Sequence, residues 1–510
     1  MRLLLALLLP FAVLAADARN PNMLIILADD LGYGDVHAYN PTRGKIPTPH
    51  LDRLAAEGMR FTDGHSSSGV CSPSRYALLT GRYHWRTRLQ TGIVGVFGEP
   101  LIAEDRLTVA GLAKRHGYRT AAIGKWHLGW DWPIAEGDRP LFRSYKEADP
   151  SSVETHRAVW AKVFAQPIKG GPTTRGFDTY FGTDVPNWPP YCFIQDDLTI
   201  GIPSEPLPKQ FFGKNLASQP GPALPGWKLE PILPTLVERA TAFIADAARR
   251  PEPFLLYLPL TTPHTPLAVN AEWQGKSGLN NAAADLIMET DAAVGKVLAA
   301  LEASGAAKDT LVLFTSDNGF AAYAGAKELE KQGHFPSGPL RDYKTSVYEG
   351  GHRVAFMARW PGQVKAGTTC DQLVHQADVI ATFADILRTK LPDNAAEDSI
   401  SFLPLLKGAT GPTRLQAVSC ASGGTPGLRM GNWKYIPTQP AQLYDLATDL
   451  GETKNLAPTM PEKVTEMKAL LEKLISDGRS TPGEPQKNDV EVIRFPKPAA
   501  PKSKAGKKAK

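Results

Sequence analysis

Residues 22–30 read NMLIILADD, an unbroken apolar run that ends in two adjacent carboxylates. A short continuous run of this kind is typical of a strand buried on both faces of a parallel sheet. Three later runs have the same form and also end in polar or charged residues, at 118–127, 254–264 and 310–319. Amphipathic helical stretches such as 105–116 and 281–302 lie between the runs. The alternation predicts an α/β fold, with a large, mixed, mostly parallel sheet sandwiched by helices.

The residues behind the four runs predict where a site would lie. Ligands of α/β sheets bind outside the carboxyl ends of the strands, so polar groups behind neighbouring strands can share one site. A single polar strand end is ordinary, but four that combine acidic, basic and imidazole groups indicate a common centre. The groups are Asp29 and Asp30 after the first run, Lys125 and His127 after the second, His264 after the third, and Asp317 and Asn318 after the fourth.

Residues 71–81, CSPSRYALLTG, predict a helix that carries a cysteine at its start. Pro73 fits the first turn, where its missing N–H has no intrahelical partner to lose. Cys71 therefore lies at a helix N-terminus, a position that favours anions, and Arg75 one turn later adds a cation facing the same way. A cysteine before a helix is more often a buried small side chain than a nucleophile, so this segment alone does not decide its role.

The segment 71–75 resembles the signature C-x-P-x-R of the type I sulfatases, in which the cysteine is oxidised to formylglycine. Residues 117–129 match the second signature of that family, G-Y-x-T-x-x-x-G-K-W-H-L-G, and residues 443–457 match its carboxyl-terminal pattern. The resemblance, which extends to arylsulfatase A and galactosamine-6-sulfatase, covers almost the whole mature chain. Residues 36–40 depart from the usual glycine-rich continuation. The resemblance implies an alkaline-phosphatase-like fold with a smaller C-terminal antiparallel-sheet subdomain.

The oxygen donors predict a hard cation. Carboxylate and amide oxygens without thiolate or imidazole favour Ca²⁺ or Mg²⁺ over Zn²⁺, and adjacent carboxylates are costly to hold without positive charge between them. Related phosphatases and phosphonate hydrolases usually carry His where this chain has Asn318, so Asp-Asn-Gly favours the sulfatase branch. The resemblance implies one Ca²⁺ held by Asp29, Asp30, Asp317, Asn318 and an oxygen of modified Cys71.

The resemblance also implies roles for the catalytic residues. A hydrated aldehyde at position 71 would attack sulfur with one hydroxyl and eliminate sulfate through the other. Lys344 lies in a segment, 339–351, that looks like the lysine-bearing segment of the family. Whether His264 or Lys344 protonates the leaving oxygen stays open. The other roles are Asp317 to activate the first hydroxyl, His127 to assist elimination, Arg75 to hold the diol, and Lys125 and Lys344 to bind the sulfate oxygens.

The leaving group is harder to read from the sequence. Residues 130–227 are rich in Pro, Gly and aromatic side chains, which suits stacking on a sugar, although aromatic residues in loops are more often local packing. Segment 184–192 resembles the variable substrate loop of the relatives only loosely. The sugar, the position of its sulfate and exo or endo action stay open. The candidate stacking residues are Trp130, Trp132, Trp160, Trp188, Tyr191 and Trp227.

The N-terminal sequence predicts export. Residues 1–18 have the basic, apolar and small-residue regions of a signal peptide, which favours a periplasmic or secreted protein. No later segment approaches about 20 apolar residues, so we expect no membrane span. Residues 19–412 are expected to form the catalytic domain, 413–485 the C-terminal subdomain, and 486–510 a disordered Lys/Pro/Ala-rich tail.

Charge argues against a nucleic-acid-binding protein, and cysteine content argues against a fold held by a framework of disulfides. The net charge of +5 includes six lysines in the last fourteen residues, and the rest of the chain carries −1, so nucleic-acid binding is not expected. The cysteines are Cys71, Cys192, Cys370 and Cys420. If Cys71 is converted, at most one disulfide can form among the other three, and whether it forms stays open.

These features together predict a calcium-dependent formylglycine sulfatase, a sulfuric ester hydrolase. Its substrate would be a sulfated carbohydrate, with aryl sulfates as assay substrates, and its partner a formylglycine-generating maturation enzyme. Two alternatives remain open: a phosphate or phosphonate monoester hydrolase on the same scaffold, and a catalytically silent protein that binds sulfated glycans. The intact set of candidate catalytic residues argues against the second.

Overall fold

The apolar run at residues 22–30 forms the central strand of the largest sheet. The computed structural model describes residues 20–143, 150–207, 209–212 and 218–495. The predicted signal peptide, 1–18, and the last residues of the predicted tail, 496–510, lie outside the described residues. The strands in the described part are β1 Asn22–Ala28, β2 Met59–Phe61, β3 Gly64–His65, β4 Arg119–Lys125, β5 Thr179–Thr183, β6 Ile194–Gln195, β7 Leu198–Thr199, β8 Glu205–Leu207, β9 Gly221–Ala223, β10 Phe254–Pro259, β11 Thr310–Ser316, β12 Phe356–Arg359, β13 Thr368–Cys370, β14 Val374–His375, β15 Gln416–Cys420, β16 Pro426–Met430, β17 Trp433–Ile436 and β18 Gln442–Asp445.

Ten strands form a mixed sheet in the order β13-β2-β12-β11-β1-β10-β4-β5-β6-β7. The five in the middle, from β11 to β5, run parallel, and antiparallel pairs flank them on both sides. All four runs singled out in the sequence are neighbours in this parallel block. The predicted mostly parallel mixed sheet is confirmed.

Helices cover both faces of the sheet. Asn281 caps α7 by accepting main-chain hydrogen bonds from Ala283 and Ala284. In the described part of the chain, no helix combines the length and apolar character needed to cross a membrane. The helices are α1 Pro49–Glu57, α2 Cys71–Thr80, α3 Val109–Arg115, α4 Pro140–Arg143, α5 Pro150–Phe164, α6 Ile232–Ala247, α7 Ala282–Ala303, α8 Ala326–Lys331, α9 Glu349–His352, α10 Val379–Ile386, α11 Leu403–Leu406 and α12 Pro461–Ser476.

Strand β1 shows why both faces are apolar. Successive side chains of a strand point to opposite faces. Ile25 and its alternate neighbours pack in the core that includes side chains of α2, α3 and α10. Ile26 and its alternate neighbours pack in the core that includes α1, α6 and α7. The strand is therefore apolar along its whole length, and the predicted helical sandwich is confirmed.

The helix expected at 105–116 begins later than the sequence pattern indicates. Thr108 is extended, and its side-chain oxygen accepts a hydrogen bond from the Gly111 N–H, so α3 starts at Val109. Asp105 and the residues up to Leu107 precede that cap. The predicted helix therefore began four residues too early, because a threonine cap lies inside an otherwise helical pattern.

The C-terminal subdomain is the predicted small antiparallel sheet. Strands β15 to β18 pair in sequence order, and α12 packs on them through Met467 and Leu471 against Val418 and Leu428. The single apolar stretch 428–436 folds as two strands, because residues 431–432 turn between them.

The predicted disordered tail starts too early. Val492 is buried in the core of the C-terminal subdomain, and Asp489 forms an ion pair with the buried Arg82. Gln486 donates its main-chain N–H to the Asp477 carbonyl. Residues 486–495 therefore pack on the protein, since a buried guanidinium needs an acceptor that this segment provides. The lysine-rich part begins only at Lys497.

Candidate active site

The sheet topology brings the four polar strand ends to one edge. Strands β11, β1, β10 and β4 are parallel and adjacent, so the residues after them meet at the carboxyl edge of the sheet. Helix α2 begins at the same place. Every residue predicted for the site lies here: Asp29, Asp30, Cys71, Arg75, Lys125, His127, His264, Asp317, Asn318 and Lys344 are buried or nearly so.

Cys71 is the first residue of α2 and is 2% exposed. Val70 before it is extended, and Gly81 ends the helix in the left-handed conformation at φ +67°. The Cys71 sulfur lies 3.8 Å from Asp29 Oδ1 and 3.7 Å from Lys344 Nζ. Burial raises the pKa of the Cys71 thiol to about 12, although Lys125 and Lys344 act in the opposite direction. The unmodified side chain is therefore a protonated thiol at neutral pH, a weak nucleophile.

Arg75 connects three strand ends. Its guanidinium donates two hydrogen bonds to Asp317 Oδ2, at 3.1 and 2.7 Å, and one to the Lys125 carbonyl at 3.0 Å. It also lies 3.3 Å from Asp29 Oδ1. The sequence predicted that Arg75 holds the diol at position 71, and these hydrogen bonds show that it also orients Asp317 and the end of β4. Buried charge-assisted hydrogen bonds of this kind hold geometry as well as charge.

Two lysines neutralise the adjacent carboxylates. Lys125 Nζ lies 2.7 Å from Asp29 Oδ2, and Lys344 Nζ lies 2.5 and 2.7 Å from the two oxygens of Asp30. Burial alone would raise the pKa of Asp29, but Lys125 and the other nearby cations hold it well below its usual range. Burial would lower the pKa of Lys344, yet Asp30 holds it well above the ordinary value. Asp29 and Lys344 are therefore charged at neutral pH.

Asp317 behaves differently from Asp29. Burial and the nearby charge of Asp29 raise the pKa of Asp317 to about 6, despite the contact with Arg75. Its Oδ1 accepts the main-chain N–H of Asp30 at 3.2 Å, so its position is fixed from two sides. Crowded carboxylates that resist ionisation together are a feature of sites that gain from added positive charge.

The oxygen donors fit a hard cation. Asn318 donates from Nδ2 to Asp30 Oδ1 at 2.8 Å, while its buried Oδ1 has no hydrogen-bond partner among the described residues. A buried acceptor left in this state is costly, and a cation would satisfy it. Ligand atoms of Asp29, Asp30, Cys71 and His264 also lie within 4.8 Å of one another. Asp317 is outside that group, and its Oδ2 accepts two hydrogen bonds from Arg75.

His127 and Asp184 form the wall of the site on the β5 side. The His127 ring donates from Nε2 to the Val94 carbonyl, 3.1 Å away, and its buried Nδ1 has no hydrogen-bond partner in the described part of the chain. Burial, together with Lys125 and Arg75, lowers the pKa of His127 well below its usual value, so the ring is neutral. Asp184 Oδ1 accepts the His127 main-chain N–H at 3.2 Å, and burial raises the pKa of Asp184 to about 6.

His264 lies on the opposite side of the carboxylates. Its Nδ1 is 2.5 Å from the Thr265 carbonyl, which indicates that Nδ1 carries the proton and Nε2 is unprotonated. Nε2 is 3.6 Å from Asp30 Oδ2. Burial lowers the pKa of His264 to about 4, so this ring is also neutral at neutral pH.

The backbone at the strand ends is strained. Asp30 and His127 have φ values of +69° and +53°, in the left-handed region that non-glycine residues seldom adopt. A Cβ on Gly124 would lie 1.8 Å from the Pro259 carbonyl oxygen, so only glycine allows β4 to approach β10 directly before Lys125. Strain of this kind is concentrated at functional sites, where the surrounding structure enforces it.

Comparison with known proteins identifies the family. A model of the family described as Sulfatase matches residues 21–389. This chain belongs to the sulfatase family. It is 31% identical to an N-acetylgalactosamine-6-O-sulfatase of Bacteroides thetaiotaomicron, over 89% of this chain and 93% of the relative, and 32% identical to human arylsulfatase A, over 91% and 90%.

Solved structures agree with that assignment. A Bacteroides thetaiotaomicron protein, described under the metabolism of multiple glycosaminoglycans, has a TM-score of 0.75 and 29% identity. The match covers 90% of this sulfatase and 99% of that structure. The family, the fold and the sulfuric ester hydrolase class predicted from the sequence are confirmed.

Most of the aromatic side chains predicted for sugar stacking in this sulfatase are unavailable. Trp130, Trp160 and Tyr191 are at most 1% exposed, and Trp132 is 5% exposed. They fill the core under the segment 130–227, so for them the stacking hypothesis is wrong. Trp188 is partly exposed, and its ring meets the His127 ring edge-on at 5.4 Å.

Asp184 is a site residue that the sequence patterns did not identify. It follows β5 directly, so it is a fifth polar strand end beside β4. The signal was weak, because Thr179–Thr183 contains glycine and two threonines and does not form an apolar run. The four cysteines of the sulfatase are all free thiols in the structure.

Proposed function

We propose that this sulfatase hydrolyses sulfate esters of a sulfated carbohydrate, with a formylglycine made from Cys71 and with Ca²⁺ held by Asp29, Asp30, Asp317 and Asn318. The observation that carries the proposal is the position of Cys71. It begins a buried helix and lies between the Asp29 carboxylate and the Lys344 ammonium group. The names of the relatives, an N-acetylgalactosamine-6-O-sulfatase and an arylsulfatase, support a sulfated sugar as the substrate class.

The two implied groups supply what the bare chain lacks. A formylglycine at position 71, once hydrated, would supply one hydroxyl as the nucleophile and a second as the group whose deprotonation releases sulfate, whereas the buried thiol is a weak nucleophile. A bound Ca²⁺ would supply the positive charge that Lys125 and Lys344 now give to Asp29 and Asp30, and so leave both ammonium groups available.

The side chains of the site then have distinct tasks. Lys125 and Lys344 bind the sulfuryl oxygens and stabilise the charge that develops on them. Arg75 holds Asp317 in place through two hydrogen bonds, and Asp317 accepts the proton of the attacking hydroxyl. The roles differ because a lysine ammonium group offers positive charge to the sulfuryl oxygens, whereas a carboxylate can accept a proton.

The two histidines serve the later steps. His127 is neutral and its Nδ1 is available, which suits it to accept the proton of the second hydroxyl. Of the two candidate acids for the leaving oxygen, Lys344 carries its proton at neutral pH, whereas His264 would first have to gain a proton at Nε2. We also propose that the protein is exported through the signal sequence at 1–18 and modified by a formylglycine-generating enzyme, as the sequence predicts.

The test of this function compares two esters and one substitution. The purified protein should release sulfate from N-acetylgalactosamine 6-sulfate and from an aryl sulfate faster than it releases phosphate from the matching phosphate ester. Cys71→Ala should abolish sulfate release and leave the fold intact. Cys370→Ala, which removes a partly exposed cysteine on the sheet edge, is the matched control and should retain activity.

The modification itself is measured by mass spectrometry of the tryptic peptide 61–75, prepared from the native host. Formylglycine lowers its mass by about 18 Da relative to the cysteine form. Sulfate release by protein in which every copy keeps the thiol would contradict the covalent mechanism. Faster release of phosphate than of sulfate would instead favour the phosphohydrolase alternative.

A further inference from the structure

A cleft of about 470 Å³ lies beside the site, outside the residues assigned to the reaction. It is lined by Arg88, the segment 95–99, Arg139, Phe142 and Gln219. This volume lies within the range of pockets that hold small ligands. Arg88 and Gln219 are exposed, so the cleft opens to solvent.

Each wall of the cleft is connected to His127 through neighbouring residues and their hydrogen bonds or ring contacts. On one wall, Val94 donates its N–H to Ser72 Oγ at 3.2 Å and its carbonyl lies 3.1 Å from His127 Nε2. Gly95, the next residue, lines the cleft. On the other wall, Gln219 donates its main-chain N–H to the Asn187 carbonyl at 3.1 Å. Asn187 precedes Trp188, whose ring lies against His127.

The charged groups of the cleft are predominantly positive. Arg88 donates to the main-chain carbonyl of Glu99 at 2.8 Å, which is a contact with a neutral group. Arg139 pairs with Glu136, a side chain that is 90% exposed. A surface pair of this kind contributes at most about 1 kcal/mol, so an anionic ligand can replace it. Glu99 also lines the cleft, so its carboxylate offsets one of the two positive charges.

The floor of the cleft is apolar. The rings of Phe97 and Phe142 meet edge-to-face with centroids 5.1 Å apart. Both side chains are almost fully buried, at 6% and 5% exposure, so they shape the floor of the cleft without offering a ring face for stacking. The polar contacts of a ligand would therefore come from the two guanidinium groups, and Arg binds carboxylate and sulfate oxygens through paired N–H donors.

We propose that this cleft binds the sugar next to the one that loses its sulfate, and that Arg88 and Arg139 bind a carboxylate or a second sulfate on that sugar. The inference rests on the proposed function, since the cleft becomes a subsite only if the ester is cleaved beside His127. It specifies the substrate as an acidic oligosaccharide rather than an isolated sulfated sugar.

The first test measures kinetics with the double variant R88Q/R139Q. With a sulfated disaccharide that carries a neighbouring uronate, we expect KM to rise about tenfold and kcat to change less than twofold, because the lost contacts lie away from sulfur. A disaccharide with a second sulfate in place of the uronate distinguishes the two anions. KM for an aryl sulfate should change less than twofold, because that ester does not extend into the cleft.

The matched control is Arg249→Gln. Arg249 has a 72% exposed side chain and follows α6, at the end of the sheet opposite the site. The substitution removes one positive charge at a residue that does not line the cleft. An unchanged KM for both disaccharides in R88Q/R139Q would overturn the proposal, as would an equal rise for the disaccharides and the aryl sulfate or an equal effect of Arg249→Gln.

A binding measurement separates this inference from the proposed function. Calorimetry with the Cys71→Ala protein and each acidic disaccharide needs no turnover. About tenfold weaker binding after R88Q/R139Q supports the subsite, and unchanged binding overturns it. If the wild type releases no sulfate from any ester, the proposed function fails, whatever the calorimetry shows about the cleft.

Discussion

Two buried clusters in this sulfatase have the same charge balance and different surroundings. Each contains three carboxylates and three cations. The active-site cluster lies at the carboxyl edge of the parallel strands and consists of Asp29, Asp30, Asp317, Arg75, Lys125 and Lys344. The interdomain cluster joins the large sheet to the C-terminal sheet and consists of Asp63, Glu349, Glu452, Arg353, Arg429 and Lys434.

The arrangement of the charges differs. In the active-site cluster two carboxylates are consecutive in sequence, and flexible lysines neutralise them beside an unpaired amide oxygen and a cysteine. In the interdomain cluster Arg429 donates to both oxygens of Asp63, at 3.1 and 3.0 Å, and Lys434 holds Glu349 at 2.9 Å. The number of buried charges therefore does not identify a functional site. The active-site cluster is distinguished by its position at the carboxyl edge of the parallel strands and by Cys71 at the start of α2.

A group that could ligate a metal lies next to the interdomain cluster and shares Glu349 with it. His65, Glu349 and His352 place their ligand atoms within 4.8 Å of one another. Lys434 Nζ lies 3.3 Å from His352 Nε2, and Arg429 and Arg353 lie within 3.4 Å of Glu349 Oε2. Three cations already surround the single carboxylate of this group, so a further cation would meet repulsion.

The largest predicted effect separates the two clusters by paired substitutions. Asp63→Asn should lower the free energy of unfolding by about 3–5 kcal/mol, because it leaves Arg429 and Arg353 with only the Glu349 carboxylate, which Lys434 already contacts. Asp30→Asn should lower kcat/KM at least about a thousandfold, which corresponds to about 4 kcal/mol of transition-state stabilisation. Urea unfolding and sulfate release, measured on both variants, check the two effects.

The cross effects are the sharper part of that comparison. Asp30→Asn should destabilise the protein by less than half as much as Asp63→Asn, because it also relieves repulsion with Asp317, whose pKa Asp30 helps to raise. Asp63→Asn should keep kcat within about threefold at a temperature where it is folded. Loss of activity without loss of stability in Asp63→Asn would show that the interdomain cluster belongs to the site.

Asp184 provides the second prediction, because it is a buried carboxylate beside the active-site cluster whose hydrogen bonds come from neutral donors. These are the His127 main-chain N–H and the Trp130 indole, both at 3.2 Å. Burial raises the pKa of Asp184 from 3.8 to about 6. Because the folded-state pKa is raised, the stabilising contribution is complete below pH 3.8 and is lost as the pH rises through about 6. The rise corresponds to about 3 kcal/mol.

The variant Asp184→Asn lacks this titration. Relative to the variant, the wild type should therefore lose up to about 3 kcal/mol of unfolding free energy between about pH 4 and pH 6.5. Asp178→Asn is the control at the other end of β5. Burial would raise the pKa of Asp178, but Lys114 and Thr120 hold it below its usual value, so its pH dependence has the opposite sign. Equal slopes for both variants would contradict the prediction.

The sequence predicted the active-site cluster because its members follow local patterns. Apolar runs such as 22–28 and 310–316 identify parallel strands, and the residues behind such strands must share an edge. The helix at 71–80 carries its own start signal in Pro73 and its own stop signal in Gly81. The resemblance then added Lys344, which lies in a segment without regular secondary structure.

The interdomain cluster could not be predicted in the same way. Asp63 and Arg429 are 366 residues apart in sequence, and neither lies in a motif. Their pairing depends on how the C-terminal sheet docks on the segment 66–69, where the Cys420 N–H donates to the Ser67 carbonyl at 3.0 Å. Packing of Val492 and burial of Trp130 have the same origin. Each is decided by tertiary contacts rather than by composition or periodicity.

The smallest predicted effect is the response to Ca²⁺, which tests where a cation binds without using activity. At a concentration about 100 times its dissociation constant, Ca²⁺ should stabilise the folded protein by about 2.7 kcal/mol and raise Tm accordingly. Asp29→Asn should abolish the shift, because it removes a carboxylate of the active-site cluster. Asp63→Asn should keep it, although its starting Tm is lower. Both variants remove one buried carboxylate, so the comparison is matched in charge.

If Asp63→Asn lost the shift and Asp29→Asn kept it, the cation would bind at His65, Glu349 and His352. The interdomain cluster, and not the active-site cluster, would then be the cation site. Chelation should lower Tm in the wild type by the same amount, and the chelated protein should remain folded, since Lys125 and Lys344 already neutralise the two adjacent carboxylates.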